Sequence, residues 1–329
     1  MKAVRLHAQN DLRVETVPAP QAPAAGWVAL DIIAAGICGS DLHNFRTGQW
    51  ITRSPSIPGH ELIGRVSALG EGVTGLSIGD RVVADSRFWC GDCAACEAGD
   101  HHLCERLGFI GEICDGGFAE MTVLPRRLLH RLPEDLADDA AVMAEPVAVA
   151  LHAVRRLRLE QDAPVLIAGC GPIGGLAALI LSDLGHRDIR VADRNGARAG
   201  LVAEVTGARV VSLDSNTDSR VRYGIEATGS TAALRALLSC IGNGGAIALV
   251  GIMHGTLELD PNLLVEREVS LIGCHAFKDE MPEAISLLAR CADRARALVE
   301  SEIGLDDVPE AYRRLIAGET VGLKTIIRP

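Results

Sequence analysis

The chain has 329 residues, 48% of them hydrophobic and 23% charged, and a formal net charge of −11. That length accommodates two domains with real cores, and so apolar a composition excludes an intrinsically disordered chain. The acidic balance excludes a broad nucleic-acid or anionic-membrane surface, which needs Lys and Arg to displace counterions. A small-molecule substrate and further copies of the chain remain as the expected partners.

Near the start, Lys2, Arg5 and His7 interrupt any apolar signal segment, so a reducing, cytoplasmic setting is expected and the ten cysteines should be thiols. Short β-like runs follow at Trp27–Ala34, Leu62–Leu69, Arg81–Ala84 and Phe118–Val123, separated by turn signals. From about Glu145 the pattern changes to apolar strands alternating with helix-period segments, the signature of a parallel sheet. The expected strands are Pro164–Ala168, Ile189–Ala192, Ala208–Leu213, Tyr223–Ala227, Ala246–Gly251 and Val269–Gly273. A helix at Glu283–Cys291 and a β run at Leu323–Ile327 close the chain, too little for a third domain. Pro164–Ser182 and Ala236–Leu257 lack charges, but their many glycines would break a spanning helix, so no membrane segment is expected.

Cys90, Cys93, Cys96 and Cys104 lie in a C-x2-C-x2-C-x7-C pattern. Four thiolates close a tetrahedral zinc site that leaves no position for substrate, so this one should staple a loop. A nucleic-acid-binding ribbon would use similar spacing, but Glu97, Glu105 and Asp115 surround it with the wrong charge. Cys38, the pair His60-Glu61, and Glu145 are dispersed possible ligands, each unremarkable alone.

Gly169-Cys170-Gly171-Pro172-Ile173-Gly174 follows an expected strand and opens the helix Ile173–Leu184, which gives G-x-G-x-x-G its dinucleotide-binding context. Asp193 ends the next strand, where an acidic residue bonds the adenine ribose and repels a 2′-phosphate, favouring NAD over NADP. The same residue could instead cap the following helix, and Arg194 and Arg198 lie nearby.

The stretch Gly59-His60-Glu61-x2-Gly64-x5-Gly70-x2-Val73, with the four-cysteine loop and the later glycine fingerprint in this order, resembles the zinc-dependent medium-chain alcohol dehydrogenases along nearly the whole chain. GICGSDLH and AEPVAVALHA resemble the polyol branch, the sorbitol, iditol and idonate dehydrogenases. The resemblance implies an α/β architecture in two parts. A GroES-like catalytic domain would comprise residues 1–146 and 275–329, and a Rossmann doubly wound parallel sheet residues 147–274. It implies two zinc ions per chain, NAD, and a homodimer or homotetramer. Cys38, His60, Glu61 and Glu145 would serve the catalytic zinc, Ser40 would take the alcohol proton and His43 would relay it. Gly169, Gly171, Pro172, Ile173, Gly174, Asp193, Arg198 and Val250-Gly251-Ile252 match cofactor contacts, and Asn44, Glu145, Ala276 and Phe277 stand at substrate positions. With Cys38 and Glu61 balancing Zn²⁺, a third anion at Glu145 would leave the site negative, so Glu61 and Glu145 are expected to exchange with water or substrate rather than both bind throughout.

Two departures matter. Ala276 replaces an Arg and Asn44 a Tyr of the polyol enzymes, which weakens the case for sorbitol or idonate. Asp214–Arg222 is short for a parallel crossover, which takes about a dozen residues. The activity expected is hydride transfer between a secondary alcohol, polyol or sugar-derived, and NAD. A threonine- or 2,3-butanediol-type dehydrogenase is the alternative, and a non-catalytic NAD-binding protein the alternative of another class.

Overall fold

The computed structural model describes residues 1–213, 220–253 and 255–329. Most of the Asp214–Arg222 crossover therefore lies outside the described residues. The chain divides into two compact units. One comprises Met1–Glu145, Met281–Thr320 and Lys324–Pro329, and the other Pro146–Glu280 with Val321–Leu323. The second crossing thus falls after Glu280, later than the 274 read from the sequence.

In the first unit the sheet order is Val299–Ile303, Lys324–Ile327, Trp27–Gly36, Glu61–Leu69, Arg81–Ala84, Leu129–Arg131, with Met121–Pro125 also on Trp27–Gly36. Trp27–Gly36 and Glu61–Leu69 pair antiparallel, which sets Gly36 opposite Glu61. The strand read at Phe118–Val123 forms three residues later, at Met121–Pro125, while Phe118 and Ala119 are wholly buried just before it. Val4, Leu30, Leu62, Phe118, Leu124 and Tyr312 belong to this unit's core. Each such aliphatic side chain contributes about 1.5–3 kcal/mol by leaving water.

Among the described residues, the second unit's sheet has six strands, all parallel, in the order Arg209–Val210, Ile189–Ala192, Val165–Ala168, Val221–Glu226, Ile241–Leu249, Ser270–Gly273. In chain order that is third, second, first, fourth, fifth, sixth, the doubly wound arrangement of dinucleotide-binding sheets. Its switch point lies at Val165–Ala168, the strand that leads into Gly169. The next helix, Pro172–Asp183, has Pro at its first turn, and every residue from Gly174 to Leu181 is buried. A helix apolar all round belongs inside a layered fold. Among the described residues no helix is long and apolar enough to cross a membrane, and both uncharged stretches form strands, turns and helices of this unit.

Candidate active site

The first unit gathers Cys38, His60 and Glu61 so that one ligand atom from each lies within 4.8 Å of the others. Local sequence explains two of these placements. Cys38 is the extended N-cap of the helix Gly39–Thr47, and Asp41 at the third helical position accepts its backbone N–H at 2.9 Å. His60 and Glu61 enter the strand Glu61–Leu69, which lies beside Gly36.

Asp41 also faces His60, with Oδ1 3.5 Å from Nδ1, and Ser40 Oγ is 3.4 Å from His60 Nε2. Burial works against a charged His60, but the charges of Asp41 and Cys38 outweigh it and hold the imidazole well above its usual range. A carboxylate behind one ring nitrogen is how metal-ligating histidines are oriented.

Glu61 is fully buried, and Lys324, 1% exposed at its side chain, donates to both its oxygens at 2.7 and 2.5 Å and to Ile37 O at 3.0 Å. Gly36 makes this possible, because a Cβ there would collide with the Glu61 carboxylate. Lys324 escaped the sequence reading. Its signal was a lone cation inside the apolar closing run Leu323–Ile327.

Glu145 is not part of the three-residue set. Buried at 5% exposure, it accepts a hydrogen bond from Ser86 Oγ at 2.6 Å, another partner the sequence did not reveal. Burial first, then the nearby Glu61 charge, push its carboxyl up to about 7, against the pull of His60.

His43 is half-buried on the same helix, with Nε2 2.9 Å from Gln49 Oε1 and its ring 4.6 Å from Trp50. Asn44 Oδ1 accepts the Trp50 backbone N–H at 2.9 Å and so holds the chain leaving the helix. Phe277, expected at a substrate position, belongs to the second unit and is fully buried. The neighbouring Ala276 takes a left-handed backbone, φ 49°.

Cys90, Cys93, Cys96 and Cys104 form a second metal-ligand group among the described residues, with sulfur separations of 3.8 Å (Cys90–Cys96), 3.9 Å (Cys93–Cys104) and 3.4 Å (Cys104–Cys90). A tetrahedron with Zn–S bonds of about 2.3 Å has edges of about 3.8 Å, so these thiols fit zinc without rearrangement. Backbone amides of Cys90 and Arg106 point at Cys104 Sγ, both at 3.3 Å. Amide bonds from Glu105 and Cys96 pull the Cys93 thiol down to about 6.

In the second unit the three fingerprint glycines do three different jobs. Gly169 is left-handed, φ 96°, and a Cβ there would press on Thr228 and Ala227. Gly174 packs its backbone onto the Gly169 carbonyl, where no side chain fits. Gly171, before the helix that Pro172 and Ile173 begin, faces open space, a gap that a Cβ would fill and a pyrophosphate requires.

Asp193 accepts the backbone N–H of Cys170 and of Asn195, each at 2.7 Å, which ties the glycine loop to the following strand end. It does not cap the next helix; Asn195 does, accepting from Arg198 N at 3.1 Å. Val250 and Gly251 donate to the Glu226 carbonyl, both at 3.0 Å, and Gly229 lies against the Ile252 carbonyl.

Two family models match this chain: the alcohol dehydrogenase GroES-like domain over residues 24–134, and the zinc-binding dehydrogenase over residues 172–290. The L-threonine 3-dehydrogenase of Stenotrophomonas maltophilia is 34% identical over 84% of this chain and 85% of its own. The sorbitol dehydrogenase of Bacillus subtilis is 28% identical over 100% of this chain and 97% of its own. The solved 2R,3R-butanediol dehydrogenase of Bacillus subtilis superposes with a TM-score of 0.90 at 32% identity, covering 100% of this chain and 99% of that one. Other solved neighbours hold NADH or NADP.

A GroES-like unit carrying two zinc-ligand groups, joined to a doubly wound dinucleotide unit, defines an oxidoreductase that takes zinc and a nicotinamide dinucleotide. The chain belongs to the zinc-dependent medium-chain alcohol dehydrogenase family.

Proposed function

We propose that this protein oxidises a secondary alcohol, a polyol or sugar-derived compound, with NAD as hydride acceptor. The observation that carries the reading is the convergence of Cys38, His60 and Glu61, with Asp41 behind His60 and Lys324 beneath Glu61. In this reading Cys38 and His60 hold the zinc, and Glu61 and Glu145 are the carboxylates that approach or leave it. Zn²⁺, when bound, supplies the Lewis acidity that makes an alcohol proton labile near neutral pH.

The charges favour this donor set. Cys38, Glu61 and Glu145 carry three negative charges when ionised, which Zn²⁺ and Lys324 balance. With Lys324 counted, both glutamates can stay ionised at once without leaving the site negative. Their expected exchange with water or substrate then depends on which carboxylate Lys324 and Ser86 release, rather than on excess charge.

Ser40 Oγ takes the alcohol proton and His43 passes it outward, while Cys90, Cys93, Cys96 and Cys104 staple their loop around a second zinc. At the cofactor, Gly169, Gly171 and Gly174 shape the phosphate cradle with Pro172 and Ile173, and the Asp193 charge meets the ribose hydroxyls. Val250-Gly251-Ile252 and Arg198 complete that contact. All ten cysteines are free thiols, in keeping with a reducing cytoplasm. The strand Ser270–Gly273 ends its sheet, and such an edge suits pairing with a second copy, so we assign a homodimer or homotetramer.

The test is NADH formation by zinc-replete protein across polyols, small diols, aldonates and threonine, with NADP in parallel. Turnover on a polyol with NAD preferred is expected; no NAD-linked turnover on any of them contradicts the proposal. A threonine-type activity is the second reading, favoured by the 34% identical relative, and the same panel decides between them.

A further inference from the structure

Beside His60 lies a small, partly open cavity of ≈ 20 Å³ whose polar wall is formed by Ser40, Asp41, Asn44, His60, Glu112 and Tyr312, with Phe45 and Ile110 among its apolar lining. That is room for a single water. Tyr312 comes from the helix Val308–Ala317, and its ring stands edge-on to Phe45 at 5.5 Å. The residue is only 2% exposed, yet its hydroxyl has no hydrogen-bond partner among the described residues. Buried hydroxyls are rarely left so, and a water in the adjoining cavity is the ordinary remedy.

The other walls supply what such a water needs. Asp41 spends one oxygen on the Cys38 amide at 2.9 Å and sets the other 3.5 Å from His60 Nδ1, so lone pairs of its carboxylate stay unspent. Burial, with the Asp41 charge added and His60 opposing, pushes the Glu112 carboxyl up to about 7. A water that accepts from Tyr312 Oη and donates to Asp41 and Glu112 makes three hydrogen bonds, the usual number for a buried one.

We propose that Tyr312 is a positioning residue for His60: with Glu112 it holds one water that pins the Asp41 carboxylate against His60 Nδ1, and so aims Nε2 at the metal. The inference rests on reading Cys38, His60 and Glu61 as a zinc site. It makes the helix Val308–Ala317 part of the metal centre's support, although none of its residues is a ligand.

Tyr312→Phe removes the hydroxyl and keeps the ring. Zinc retention at the catalytic site is then measured by chelator competition, with the four-cysteine zinc as internal reference. A loss of about tenfold in affinity is expected, within the usual range for a removed outer partner. In an Asp41→Asn background the same change should cost nothing more, because its route runs through Asp41. Unchanged retention in Tyr312→Phe, or an equal loss in both backgrounds, overturns the proposal.

Should the variant fail to fold, a crystal structure of the native holoenzyme decides: an ordered water on Tyr312 Oη supports the proposal, and a dry cavity overturns it. One zinc per wild-type chain removes the reading beneath it as well. Two zincs with unchanged retention in Tyr312→Phe remove this inference alone.

Discussion

Single side chains decide the chemistry here, and Lys324 shows how. It and Glu61 are both out of water, so each depends on the other for its charge. Breaking such a pair leaves one charge buried and uncompensated, at a cost of about 3–5 kcal/mol. In zinc-free protein, Lys324→Met should lower unfolding free energy by that order in chemical denaturation, and a change near zero would mean that Glu61 has another counterion. A second buried pair, in the other unit, sets a pH dependence. Burial opposes a charged Glu280, but His152 at 2.9 Å and the Lys278 amide hold its carboxyl down to about 2 from an ordinary 4.5. A lowered carboxylate adds stability above its unfolded pKa and loses it as pH falls through the folded one. The gain is on the order of 1–3 kcal/mol, complete above pH ~4.5 and gone below about 2. Denaturation midpoints measured down an acid series should fall over that window, and the slope should flatten in Glu280→Gln.

At the scale of elements, the glycine loop separates binding from folding. Gly171 faces open space and Gly174 lies on the Gly169 carbonyl, so the same methyl group has opposite consequences. Gly171→Ala should fold normally and bind NADH more weakly by on the order of tenfold or more, whereas Gly174→Ala should lose thermal stability first. Fluorescence titration beside a thermal melt distinguishes them, and equal effects on both properties would count against the cradle. This loop was legible in the sequence because its parts are adjacent and the strand and helix around it carry strong patterns. The four-cysteine group was legible for the same reason. Lys324 and Ser86 were not: Glu61 and Lys324 are 263 positions apart, and Ser86 reaches Glu145 across 59. Pairings that far apart are created by the sheet, and a sequence shows only their residue types.

At the scale of the whole molecule, the chain leaves its first unit at Glu145, builds the dinucleotide unit, and returns at Met281. That return brings Tyr312 and Lys324 to the unit that holds Cys38, His60 and Glu61, so the end of the chain helps to build the proposed zinc site. The account predicts two zincs per native chain by metal analysis, falling to one in Cys38→Ala because the four-cysteine site is independent. It also places hydride transfer wholly under the control of the Cys38 site. The most direct test is the rate of NADH formation on the best substrate, wild type against Cys38→Ala, each with its loop zinc retained. A fall of at least about 100-fold is predicted, and a variant that keeps wild-type turnover would contradict the central claim.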